Sequence, residues 1–147
     1  MKYPDGTLIA VHDLVWWNGG IGIGHITAVF ESAEECLQVG LSEPSIFICY
    51  DGSDSNDGAS VIYPERAFVE DGIGRLTKEE EAEVADVISR SRLALPTTID
   101  AKMSCGVIAE YHEGKRTRWR VVYYLGQKPQ LVVAVTPDMK DAHIIPQ

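Results

Sequence analysis

Residues 77–95 stand apart in this 147-residue chain because their apolar positions follow a helical rhythm, whereas the other apolar runs are short and extended. Ala82, Val84, Ala85, Val87 and Ile88 carry that rhythm. Thr77-Lys78-Glu79-Glu80 is a capping box, in which the Thr hydroxyl and the Glu carboxylate satisfy free backbone N–H groups at a helix start. Pro96 disfavours helical geometry at the residue before it, so the helix is predicted to end between Arg92 and Leu95. Its acidic first turn and its Arg90 and Arg92 also suit the helix dipole. Strands grouped before and after one long helix do not alternate as βαβ units do, which predicts an α+β fold around a central amphipathic helix.

Before the helix, residues 8–11, 14–17 and 26–30 are predicted as three strands. Asn18-Gly19-Gly20 is a strong turn signal that pairs Trp16-Trp17 with 26–30. A second capping box, Ser32-Ala33-Glu34-Glu35, opens a short helix running to about Gly40. Residues 45–50 form a clean strand that enters the polar loop 51–58, extended structure resumes at 59–63 and ends at Pro64, and 67–69 add a brief edge segment. After the helix, runs at 103–112, 118–125 and 131–136 are separated by Gly114 and Gly126 turns, so a three-stranded antiparallel meander is expected. The chain reads as one domain over 1–147, with an acidic β-rich lobe at 1–75 and a helix-plus-sheet lobe at 76–147.

This length buries roughly two-thirds of the unfolded surface, enough to fold without metal or disulfide staples. Cys36, Cys49 and Cys105 are odd in number, lack CxxC spacing and are expected as buried free thiols. No apolar stretch approaches the ~18 residues of a membrane span, and the expected location is the cytoplasm. No cofactor is expected.

The net charge of −9 resides in the first half, where residues 1–75 hold twelve Asp and Glu against three Lys and Arg, while 76–147 balance ten against ten. Such a face is either a solubility device or a surface that steers a basic partner. The acidic balance also argues against nucleic acid, whose phosphates need clustered cations.

Local motifs point to no reaction. Gly19-Gly20-Ile21-Gly22-Ile23-Gly24 lacks the spacing of a dinucleotide fingerprint and the Lys of a P-loop, so a glycine-rich hairpin or bulge is expected. The 51–58 loop resembles a calcium loop in composition only, because Pro64 stands where the bidentate Glu should be. His12, His25, His112 and His143 are scattered, with no nucleophile at a telling interval. Arg116, Arg118 and Arg120 alternate along one strand and are predicted to share an exposed face, with Glu110 and His112 as cross-strand partners. Trp16 and Trp17, being adjacent on a strand, point to opposite faces, one into the core and the other either covered by the Glu34 helix or exposed as a binding hot spot.

Tyr3-Pro4-Asp5-Gly6-Thr7, then Asp13-x-Val15, a glycine turn, Gly24 and a β-branched strand resemble the opening of bacterial immunity proteins found beside polymorphic toxins. The resemblance covers about residues 2–70 and implies an N-terminal small barrel of the Src-homology or Tudor kind. It also implies a role: binding and neutralising a cognate toxin. Joined to the charge, it suggests a non-catalytic inhibitor that presents Glu34, Glu35, Glu43, Asp51, Asp54 and Asp57, with Trp16 and Trp17, to a basic protein partner. The alternatives are a peptide- or ligand-binding module with an aromatic groove at Trp16 or Trp17, and a small enzyme using His12, His25 or Cys105.

Overall fold

The computed structural model describes residues 1–53, 58–97 and 103–146. Within them the elements run β1 (Leu14–Trp17), β2 (Gly22–Phe30), α1 (Ala33–Gln38), β3 (Ser45–Cys49), β4 (Ser60–Pro64), β5 (Gly74–Arg75), α2 (Lys78–Leu93), β6 (Ser104–His112), β7 (Lys115–Leu125), β8 (Lys128–Val135) and β9 (Ala142–Ile145). The chain is α+β, as its one long helix between groups of strands predicts. All nine strands join one sheet of order β4-β3-β2-β6-β7-β8-β9, with β1 beside β2 and β5 beside β1. Every pairing is antiparallel.

The sheet is open, so the barrel expected at the N-terminal end does not close. Closure requires the outer strands to meet. Here β2 instead carries the sheet onward, pairing its first residues with β6 through Gly22↔Ile108 and Ile23↔Val107 and its later ones with β3. The three extended runs after α2 are likewise not a separate sheet. They continue from β2 and are extended by β9, a four-residue strand too short to stand out in the sequence.

Residues 50–52, just past β3, meet the start of β6 backbone to backbone. A Cβ on Gly106 would lie 2.1 Å from the Tyr50 carbonyl oxygen, and one on Gly52 would lie 2.3 Å from that of Cys105. Only glycine fits there.

Three further local expectations change. Residues 8–11 do not enter the sheet: Leu8 bridges back to Lys2, Ile9 N–H donates to the Met1 carbonyl, and the chain turns at His12 with φ 79°. Residues 65–67 form a 3₁₀ turn, so the edge segment expected at 67–69 is replaced by β5. Strand β2 begins within the glycine cluster, which sets Trp17 opposite Gly22 and Trp16 opposite Ile23, not opposite 26–30.

Both helices start as their capping boxes predict, at Ser32 and Thr77. Helix α2 lays Val84 and Val87 on the sheet over Trp119, Val121, Tyr123, Val133 and Val135, forming the largest core cluster, to which Ile23 and Leu76 also belong. A second cluster, with Tyr3, Val15, Ile26, Ile46, Ile48, Phe68 and Ile73, fills the N-terminal part. A small third one, Val122, Tyr124 and Val132, lies on strands β7 and β8.

Candidate functional site

Helix α1 presents an acidic first turn beside exposed apolar side chains. Its single buried residue, Cys36, anchors it, with Sγ 3.6 Å from the Phe30 carbonyl and 3.4 Å from that of Glu43. With Cys36 inward, Glu34 and Leu37 fall three apart on the exposed side, where Leu37 is 79% exposed and Val39 46%. Glu35 is exposed but also occupied, because its carboxylate accepts from Ser32 N–H at 3.2 Å to close the capping box. Glu43 accepts from Arg66 Nε at 2.8 Å. The Cys36 contact thus sets the Glu43 backbone against α1, whose first turn carries Glu34 and Glu35.

Asp51 does not join them. It lies past the other end of β3, and the five residues of that strand span roughly 16 Å. Nor does it face solvent: Asp51 is 1% exposed, accepting from Ser53 N–H and Ala59 N–H at 2.9 Å each and from the Cys49 thiol at 3.0 Å. Burial pushes its carboxyl up, but the Cys49, Ala59 and Ser53 hydrogen bonds more than offset this and hold it below the usual carboxylate range. Asp51 therefore ties the base of the loop together. Asp54 and Asp57 lie outside the described residues.

Trp16 and Trp17 do face opposite ways, and neighbours cover each of them in part. Trp16 stacks on Trp119 at 6.2 Å between ring centroids and donates from Nε1 to Glu80 of α2 at 3.1 Å. Trp17 stacks on Tyr50 at 4.9 Å and meets Tyr63 edge-on at 6.3 Å. The cover over Trp16 is α2, not the Glu34 helix. The two rings contribute to different core clusters and do not form one groove.

The arginine stripe is split. Arg118 and Arg120 do share a face with Glu110, Arg118 Nε donating to it at 2.6 Å. A bulge between Glu110 and Tyr111 of β6 sets Tyr111 opposite Arg116 and Glu110 opposite Arg118, leaving Thr117 as the extra residue. One extra residue reverses strand parity, so Arg116 turns to the α2 side. There it donates to Glu83 at 3.1 Å and lies over the Trp119 ring at 4.4 Å. His112 is 3.8 Å from Glu113 of its own turn instead of pairing with the stripe.

His25, Cys49 and Cys105 border a small, mostly apolar cavity of about 90 Å³ beneath α2. Burial, reinforced by the Asp51 carboxylate, pushes the Cys49 thiol up to about 11, and burial also raises Cys105. Both therefore stay protonated near neutral pH, the unreactive form. The raised thiols and the inward Asp51 leave no trace in residue spacing, since both depend on burial by distant strands. No family model matches this chain, and no curated protein or solved structure matches it.

Proposed function

We propose that the chain is a non-catalytic binding protein whose N-terminal acidic surface captures a basic protein domain. In the reading that the N-terminal resemblance suggests, that partner is a cognate toxin and capture occludes the toxin's active site. The supporting observation is the exposed apolar Leu37, 79% accessible, three residues along α1 from the exposed Glu34 of its acidic first turn. An apolar anchor on an acidic helix suits a partner with a pocket rimmed by Lys and Arg.

The cations of residues 1–75 do little to offset this charge. Arg66 is engaged by Glu43 and Arg75 lies 3.7 Å from Asp13, while Glu34, Glu65 and Glu70 remain exposed. The net field of this half favours encounter with a positive surface.

The test is co-purification with the product of the neighbouring gene, followed by stopped-flow association at graded ionic strength. The on-rate is expected to fall roughly tenfold or more between low and high salt. Glu34→Gln with Glu43→Gln should slow association, and Leu37→Ala should speed dissociation. Absence of binding, or an on-rate indifferent to salt, overturns the proposal.

A further inference from the structure

The strongest feature outside the acidic surface is a trough on the other face of the C-terminal sheet. Cross-strand partners share a face, so the row Ile108–Arg120–Ala134 and the row Gly106–Val122–Val132–Ile145 lie on the side away from α2. Two adjoining hollows of about 530 and 390 Å³ open there, and Arg120 lines both. Both have mixed linings, with the charged Glu110 in the first and Val122, Val132, Pro129 and Ile145 beside Arg120 in the second.

Charge at the Glu110 end is unbalanced. Arg118 and Arg120 face one carboxylate, Glu110. Two guanidinium groups carry ten N–H donors, and one carboxylate offers about four acceptor sites. Arg120 Nε, 3.2 Å from Glu110 Oε1 but out of line for a hydrogen bond, is buried and unmatched. A chain of net charge −9 thus keeps a local surplus of one positive charge beside the second hollow.

We infer that this trough binds an extended acidic segment of a protein partner, placing a Glu or Asp carboxylate on Arg118 and Arg120 and an apolar side chain two residues away on Val122, Val132 and Ile145. The period is the argument: side chains two apart on an extended peptide fall on one side about 6.6 Å apart, the same step that separates Arg120 from Val122 along β7. The carboxylate meets the guanidinium N–H groups of Arg118 and Arg120 beyond those that Glu110 engages, and the apolar side chain fills the second hollow.

The probe is a short fluorescent peptide, capped at both ends, with Glu and Leu two residues apart in a Ser/Thr/Gln background, titrated by anisotropy. Arg120→Gln is expected to weaken binding at least tenfold. Glu110→Gln removes the internal competitor and is expected to tighten binding severalfold, an outcome that a purely structural role for the ion pair would not produce. Thermal melting checks that each variant folds; should either fail, Arg118→Gln, at a half-buried side chain, is expected to weaken binding by a similar factor. Equal binding of the peptide with Gln in place of Glu overturns the inference. So does unchanged affinity in folded Arg120→Gln or Arg118→Gln, and so does full displacement by butyrate at equal concentration, which would mean that an isolated carboxylate suffices.

Discussion

Arg116 lies over the Trp119 ring at 4.4 Å while its Nη1 donates to Glu83 on α2 at 3.1 Å, so one side chain of β7 pins the helix to the sheet. Glu83 Oε1 also accepts from Trp119 Nε1 at 3.2 Å, closing the triangle. The cation–π contact contributes about 0.5 to 2 kcal/mol and the partly exposed ion pair less than about 1 kcal/mol. Arg116→Ala is therefore expected to lower unfolding stability by about 1 to 2 kcal/mol in urea titrations. Arg116→Lys should recover only part of this, because an ammonium lacks the planar fork and the stacking surface. Full recovery by Lys would mean that charge alone matters.

The Asp51 contacts give a pH prediction. Its folded carboxyl lies below the ordinary value of about 3.9, so the stability it contributes is fully present above about pH 5 and is lost as pH falls through the folded value. Asp51→Ala strands the Ser53 and Ala59 N–H groups at a cost of about 1 to 3 kcal/mol at pH 7. The gap between wild type and variant should narrow in acid, as followed by urea unfolding at stepped pH. A gap that is constant down to pH 2 would refute the assignment.

Close approach at Gly106 predicts a sharp contrast between two glycines. Gly106→Ala must push a Cβ into the Tyr50 carbonyl, with a cost of at least about 2 kcal/mol. Gly74→Ala has nothing within 4 Å and should leave stability unchanged or raise it by up to about 1 kcal/mol. Thermal melts of both variants decide the matter; similar melting points would show that the Tyr50 backbone and β6 do not touch.

The thiols predict slow chemistry. Cys36, Cys49 and Cys105 are 3%, 0% and 9% exposed, and burial raises the pKa of the latter two. Iodoacetamide at pH 7.5 should label none of them appreciably in the folded protein within an hour and all three in urea, as read by intact mass. Rapid labelling of Cys105 in the native state would reopen the reading of this cavity as a reactive centre.

The reversal at Arg116 was within reach of the sequence. The Glu113-Gly114 turn sets His112 opposite Lys115, a register that would put Glu110 opposite Thr117, whereas burying Ala109 and Trp119 together requires one residue more on β7. Simple alternation hides that mismatch; counting from both ends exposes it. Asp51 offered no such signal, because an Asp in a polar loop reads as solvated until the backbone N–H groups that it accepts from are known.

Both helix starts, the Asn18–Gly20 turn and the existence of most strands were legible in the chain itself, because capping boxes, positive-φ turns and short apolar runs are interactions among residues a few positions apart. Tertiary structure alone decided that β2 pairs onward with β6 and leaves the sheet open, that Trp16 and Trp17 are partly covered by α2 and by Tyr50 and Tyr63, and that Asp51 is buried at the base of its loop. Each of these depends on hydrogen bonds and packing between segments far apart in the chain, where local preference is silent and the burial available to competing pairings selects the outcome.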